Sequence, residues 1–323
     1  MSRPVLELRD LCVEYATPAG PALAVSNVSL DLEQGEFLAI VGESGCGKST
    51  LLFAIAQLLT YPASLVGGSV IFDGVDITSL SPEELRLHRW RDIAVVMQSA
   101  MNALNPTLTI GAQLADACRA HTDWNRERIE QRSGEVLAMV SIDKVHLESY
   151  PFQLSGGMRQ RAMIAMALLL EPKLVIMDEP TSALDVVAQR SLMRQVETLR
   201  RKLGFSVLFV THDMSVVSHF SDRLAVMYAG EVVELGTTRE VFDRPQHPYS
   251  QGLLEAFPSL LGELRPLTGI AGNPPSLVDP PMGCFFAPRC PHATDECRAF
   301  RPELVTNGAH AVRCHLVNKV TRP

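Results

Sequence analysis

The chain has 323 residues, 46% hydrophobic and 20% charged, which is the balance of a globular protein with room for one large α/β domain and a smaller one. Its formal charge of −7 argues against a broad nucleic-acid-binding face, which would need clustered Lys and Arg. The longest uninterrupted apolar stretch outside the termini runs from Ala162 to Leu170, about half a bilayer span, and MSRPVLELRD lacks the apolar core and cleavage site of a secretory signal.

FLAIVG (37–42) is a short apolar run closed by glycine, and KSTLLFAIAQLL (48–59) has helical length, so the pair predicts strand, loop and helix. VIFDG (70–74) and IAVVMQ (93–98) predict further strands, followed by a mostly helical stretch to about residue 153. The basic cluster RLHRWR (86–91) is short and reads as a solvated helix face. LVIMDEP (174–180), SVLFVTHD (206–213) and RLAVMYAG (223–230) are strands again, and Leu192, Val196, Leu199 and Leu203 form one helical stripe before the second of them. Strands alternating with helices imply a largely parallel sheet covered on both faces. Past about residue 240, RPQHPYS, GNPPSLVDPPMG and APRCP are rich in Pro, and the tail reads as a separate, loop-rich appendage.

GESGCGKST (42–50) places Gly42, Gly47, Lys48 and Ser49 where a phosphate-binding loop has them, with Glu43, Ser44, Gly45, Cys46 and Thr50 completing the wrap. Its backbone N–H groups would point at phosphate oxygens, Lys48 would carry charge to the β and γ phosphates, and Ser49 would ligate Mg²⁺. LVIMDEP ends an apolar strand in two carboxylates, at the strand end where open α/β sheets bind ligands. Asp178 would hold the metal and Glu179 would take a proton from the attacking water. LSGGMRQR (154–161) offers a second anion site, because a Ser-Gly-Gly turn opening a helix leaves N–H groups unpaired.

These motifs, with Gln98, the SALD segment (182–185) and His212 in VTHD, closely resemble the nucleotide-binding subunit of an ABC transporter from about residue 5 to the C-terminus. The resemblance implies a P-loop NTPase core over residues 1–240, with a helical subdomain at about 99–160 that touches membrane subunits, and a C-terminal domain over 241–323. It implies that Tyr15 stacks on adenine, that Gln98 senses Mg²⁺ and the attacking water, and that His212 contacts the γ-phosphate. Ser155, Gly156 and Gly157 would grip ATP bound to a partner subunit, with Asp185 lining the same interface. ATP would then act as glue between two subunits that part on hydrolysis. A DNA-repair or chromosome ATPase would need a long coiled-coil insertion before the SGG turn, and a translation-type protein two cassettes; the chain has neither.

QSAMNALNP (98–106), HPYSQGLL (247–254), GNPPSL (272–277) and GCFFAPRCP (283–291) are similar to the ATPase subunits of oligopeptide and dipeptide importers. That group implies a paired ATPase, with Met158 suiting the first of the two in a heterodimer, two membrane permeases and an extracytoplasmic binding protein. The chain would sit peripherally on the cytoplasmic face of the inner membrane. QSAMNALNP departs from the peptide-system form, which keeps oligosaccharide uptake as the alternative.

Cys284, Cys290, Cys297 and Cys314 cluster in the tail, and a reducing cytoplasm disfavours disulfides among them. Their spacings are wider than the close Cys pairs of most structural zinc sites and are compatible with an iron–sulfur cluster. Zinc, with His315 as a substitute ligand, and bare thiols are the alternatives. The importer resemblance implies a [4Fe–4S] cluster.

Overall fold

The computed structural model describes residues 3–98, 103–182, 184–256 and 269–318. Residues 99–102 of QSAMNALNP and Ala183 of the SALD segment lie outside them.

Two long strands open the chain, β1 (Leu6–Thr17) and β2 (Gly20–Leu32). Leu6 and Leu8 are buried on one parity of β1 and Leu11 and Val13 on the other. The switch falls at Asp10, whose φ of 47° breaks the pleat and turns the next side chains over. This offset hides the period-2 pattern, and neither strand was predicted. β3 (Phe37–Val41) is buried throughout and leads to α1 (Lys48–Ile55), which stops four residues short of the predicted 59. There the chain turns: Gln57 takes a positive φ of 53°. β4 (Ala63–Phe72) and the two-residue β5 (Val75–Asp76) follow. Next come α2 (Pro82–His88), β6 (Ile93–Val96), α3 (Ile110–His121), α4 (Arg126–Met139) and α5 (Gly156–Ala167). The middle closes with β7 (Leu174–Asp178), α6 (Val186–Leu203) and β8 (Ser206–Val210). The rest comprises α7 (Met214–Phe220), β9 (Arg223–Tyr228), β10 (Glu231–Thr237), α8 (Thr238–Asp243) and α9 (Pro248–Glu255). Last come α10 (Asp295–Ala299), β11 (Val305–Asn307), β12 (His310–Val312) and α11 (His315–Asn318).

The chain forms two compact units, the first made of Met1–Val5, Leu32–Glu36 and Phe72–Phe209, the second of Leu6–Asp31, Phe37–Ile71 and Val210–Pro323. In the first unit β7 lies between β6 and β8, and β6 and β7 run parallel with Ile93 opposite Leu174 and Val96 opposite Met177. Every residue of β7 is buried, as expected of a parallel strand covered on both faces. Leu192, Val196 and Leu199 bury their predicted stripe on α6, whose C-cap Gly204 is left-handed. Arg132 on α4 is buried and donates to the carbonyls of Leu168 and Leu169, ending α5 with a positive group on its open acceptors. No residue of α2 is buried, in keeping with RLHRWR as a surface segment.

In the second unit β3 and β9 run parallel, with Leu38 opposite Arg223 and Val41 opposite Val226. β9, β10, β12 and β11 continue as an antiparallel series. The tail is thus more than loops, because β12 adds a rung to β10. Three-residue strands are too short to reveal a period in sequence. Among the described residues no helix is long and apolar enough to cross a membrane.

β10 also buries Glu234. Burial pushes its carboxyl up, but bonds from His310 and the N–H groups of Gln246 and His247 outweigh it and hold it below the usual range. His247 is fully buried and its Nδ1 accepts from the Tyr249 N–H at 3.0 Å. Burial lowers the imidazole from 6.5 to about 4, with Glu234 opposing and Arg313 assisting. The unfolded chain therefore binds a proton below about pH 6.5 that the folded chain refuses until about pH 4, so stability falls through that window as pH drops. Urea titrations between pH 7.5 and 4 should show this loss, and His247→Asn should flatten the portion above pH 5.

Candidate functional site

The phosphate loop belongs to the second unit. It leaves buried β3 at Gly42 and ends at Gly47, the left-handed N-cap of α1 with φ 103° and no side-chain cap. A Cβ on Gly47 would stand 2.1 Å from the Ala24 carbonyl oxygen, and one on Gly42 2.2 Å from that of Met227. Both approaches exclude any side chain. The uncapped helix start leaves its N–H groups for an anion, the condition predicted from GESGCGKST. Lys48 folds over the loop, its Nζ donating to the carbonyls of Gly42 and Glu43 at 2.9 Å each. Ser44 and Gly45 are exposed at the mouth, while Ser49 is half-buried and Thr50 buried. Burial raises the Cys46 thiol despite Lys48 alongside, which keeps it protonated rather than nucleophilic. The Tyr15 hydroxyl lies 3.2 Å from the Thr50 Oγ1, bringing the predicted adenine-stacking residue onto α1 beside the loop.

The carboxylate pair belongs to the first unit. Asp178 ends β7 and is buried, whereas Glu179 is half-buried with a left-handed φ of 45°. Strain of this kind at a carboxylate is characteristic of functional turns. Gln98 donates from Nε2 to the Glu179 Oε2 at 3.0 Å, so two predicted catalytic residues meet. Ser155 caps α5 and accepts from the Met158 N–H, leaving Gly156 and Gly157 as its first residues; a Cβ on Gly157 would meet nothing within 4 Å. Asp185 caps α6 by accepting from the Ala188 N–H at 2.8 Å, a local job that pattern matching did not reveal. His212 is exposed just past β8, followed by Asp213, the N-cap of α7.

The tail reaches the loop directly. Tyr249, the tyrosine of HPYS, is fully buried, and its hydroxyl accepts from the Glu43 N–H at 2.9 Å. Burial drives that phenol far above its usual range, so it remains protonated. Arg289 forms a second contact with the loop, through the Glu43 carboxylate. Sequence reasoning assigned neither residue to the loop, because over 200 positions separate them from it.

Cys284, Cys290, Cys297 and Cys314 do not form a ligand shell as their side chains stand: among the described residues no group of three or more His, Cys, Asp or Glu converges to hold a metal. The Thr294 hydroxyl lies 3.3 Å from the Cys297 Sγ. The donor chemistry nevertheless suits a soft metal centre. Burial is the main cause raising Cys284 (to about 11), Cys290 and Cys314, and each is raised further by neighbouring cysteines of the same four. Backbone N–H groups that favour the thiolates accompany them, those of Phe286 and Ala287 at Cys284 and of Leu316 and Val317 at Cys314. His315, the substitute ligand, instead turns its Nε2 to the Phe300 carbonyl at 2.8 Å.

Known proteins share both halves of this arrangement. The ABC transporter family model matches residues 25–182, and the model for the oligopeptide/dipeptide transporter C-terminal region matches residues 233–297. The chain is 44% identical to the dipeptide transport ATP-binding protein DppD of Bacillus subtilis, over 97% of this chain and 94% of that one. It is 43% identical to the oligopeptide transport ATP-binding protein OppD of Salmonella typhimurium, over 92% and 89%. A solved ATP-binding cassette, a dimer in a post-hydrolysis state bound to ADP and Pi, matches with a TM-score of 0.65 and 31% identity over 72% of this chain and 99% of its own. The chain belongs to the ATP-binding subunits of the ABC transporter family, in the branch that carries the oligopeptide/dipeptide transporter C-terminal region.

Proposed function

We propose that this chain is the ATP-hydrolysing subunit of a peptide importer, with ATP binding and hydrolysis powering uptake through partner permeases. The observation that carries the reading is the uncapped start of α1 under a glycine-locked loop with Lys48 folded across it, in a chain whose relatives are named for dipeptide and oligopeptide transport. Those names favour peptides over oligosaccharides as cargo.

In this reading the loop N–H groups and Lys48 hold the β and γ phosphates, and Tyr15 stacks on adenine. Ser49 and Asp178 would be the residues to hold Mg²⁺, with Gln98 to sense it, and the ion when bound would neutralise charge on the phosphate oxygens. Glu179 accepts a proton from the water whose oxygen bonds to the γ phosphorus as the bond to ADP breaks. Gln98, bonded to Glu179, keeps that carboxylate aimed, and His212 contacts the γ-phosphate. Ser155, Gly156 and Gly157 serve ATP held by a paired ATPase, and Asp185 lines that interface. The open space over Gly157 suits such a visitor. The assembly comprises a second, non-identical ATPase, two permeases and an extracytoplasmic binding protein, with this chain peripheral on the cytoplasmic face of the inner membrane. The cysteine quartet would carry a [4Fe–4S] cluster; this is supported by Cys284 and Cys290 each lying close enough to Cys297 and Cys314 to feel their charge, and by the N–H groups that face Cys284 and Cys314.

In the reconstituted complex, Glu179→Gln should bind ATP with near wild-type affinity while steady-state phosphate release falls by about a hundredfold or more. Uptake of labelled dipeptides and oligosaccharides into proteoliposomes should show peptide transport alone; turnover unchanged in the variant would remove Glu179 as the base. Anaerobically purified protein should be brown, with iron and acid-labile sulfide each at about four per chain. Colourless protein with stoichiometric zinc would reverse the metal assignment.

A further inference from the structure

Glu43 follows the first glycine of the phosphate loop, and its side chain meets the tail. Its carboxylate receives two parallel N–H bonds from Arg289, from Nη1 to Oε2 at 2.8 Å and from Nη2 to Oε1 at 2.9 Å. A paired fork of this kind fixes direction as well as distance, and only a guanidinium supplies it.

Arg289 is itself immobilised. Its Nε donates to the Ala271 carbonyl at 2.9 Å, its Nη2 also to the Ile270 carbonyl at 3.1 Å, and its Nη1 to the Tyr228 hydroxyl at 3.3 Å. The guanidinium also lies over the Tyr228 ring, 5.7 Å from its centre. Its side chain is 5% exposed against 26% for that of Glu43, so the better-held partner is the arginine of the tail.

Glu43 is gripped at two further points. Its N–H goes to the Tyr249 hydroxyl and its carbonyl accepts from Lys48, the residue that meets the phosphates. Tyr249 and Tyr228 both pack on Phe286, three residues before Arg289, with ring centres 5.5 and 5.2 Å away. One aromatic cluster therefore carries both tail contacts to the loop.

We propose that the C-terminal region is a positioning element for the phosphate loop, with Arg289 fixing Glu43, and through it the Lys48 end of the loop, in the shape that receives ATP. Arg289 is a positioning residue and touches no reacting atom. The inference deepens the ATPase reading and rests on it. It explains why a subunit whose ATP chemistry lies before residue 213 carries a tail reaching back to residue 43. Loss of the fork should loosen the ground-state grip on nucleotide more than it slows the bond-breaking step, because Glu179 and Gln98 belong to other elements.

The test uses the full chain in its reconstituted transporter complex, comparing wild type with Arg289→Ala, Arg289→Lys, Glu43→Gln and the Arg289→Ala/Glu43→Gln double variant. Readouts are equilibrium binding of a fluorescent ATP analogue, KM and kcat for ATP, and the thermal midpoint. Arg289→Ala and Glu43→Gln should each raise Kd and KM by about tenfold, the scale of a lost charged hydrogen-bond pair, with kcat changing less than about twofold. Arg289→Lys should recover only part, and the double variant should be no worse than the weaker single one. Glu43→Gln keeps size and shape, so it carries the test if Arg289→Ala does not fold. Nucleotide affinity and KM at wild-type values in Glu43→Gln and Arg289→Lys would overturn the proposal, as would a lowered thermal midpoint with unchanged Kd, or penalties that simply add. A wild-type complex that bound no nucleotide would sink the ATPase reading as well, whereas one that hydrolyses ATP beside indistinguishable variants would sink this inference alone.

Discussion

The phosphate loop holds its shape because backbone presses on it from two sides. The Ala24 carbonyl of β2 occupies the place of a side chain at Gly47, and the Met227 carbonyl of β9 does the same at Gly42. Between these points Cys46 accepts from the Gly230 N–H at 2.9 Å, and the Gly230 carbonyl in turn accepts from Ser26 at 2.8 Å. A loop locked by main chain on both flanks cannot reorganise around an arriving anion. Its N–H groups are arranged before the phosphate comes, which is the condition for strong electrostatic binding at little reorganisation cost. The long strands β1 and β2, the turn after β9 and the tail on β10 can all be understood as what keeps those flanks in place.

Carboxylates in this chain are kept in two very different ways. Glu179 sits on a strained turn, half-exposed, with Gln98 beside it, so it is oriented without being smothered. Glu231 and Glu234 are buried on β10 and serve structure. Burial raises Glu231 against the pull of Arg313 and Arg301, while Glu234 stays low because His310 and the N–H groups of Gln246 and His247 bond to it. A proton acceptor needs access to water, and a structural carboxylate needs its lone pairs filled. The two environments separate these roles more clearly than residue type does.

Much of the site was legible because its chemistry demands fixed residue types close together in sequence. The loop needs glycines where backbone crowds it, the carboxylate pair needs a strand end, and the second anion turn needs a helix start; each lies within a nine-residue window. The central strands β3, β7, β8 and β9 announced themselves as continuous apolar runs. What stayed hidden is long-range or short-period. β1 changes parity at Asp10, β11 and β12 span three residues each, and Glu43 meets Tyr249 and Arg289 across more than 200 positions. The expectation of a metal centre rested on cysteine spacing and on the importer resemblance, neither of which fixes side-chain direction, and among the described residues no three such ligands converge on one centre.

The tail shows how a segment with little apolar surface of its own can still be held firmly. Among the described residues its elements after residue 290 run to five residues at most, too short to fold independently. Polar stitches to β10 and β2 supply the attachment. Arg301 donates to Glu231 at 2.9 Å and to the Ser26 hydroxyl at 2.6 Å while lying over the Phe285 ring, and His310 meets Glu234 at 2.7 Å. Removing Arg301 or Arg313 leaves the buried Glu231 carboxylate with one cation fewer, which costs more than the pair contributes when intact. The attachment is thus weak as a source of stability but strict in its geometry. The Ser26 N–H donates to the carbonyl of Gly230, whose own N–H donates to the Cys46 carbonyl of the phosphate loop, so the register imposed on the tail is shared with the loop itself.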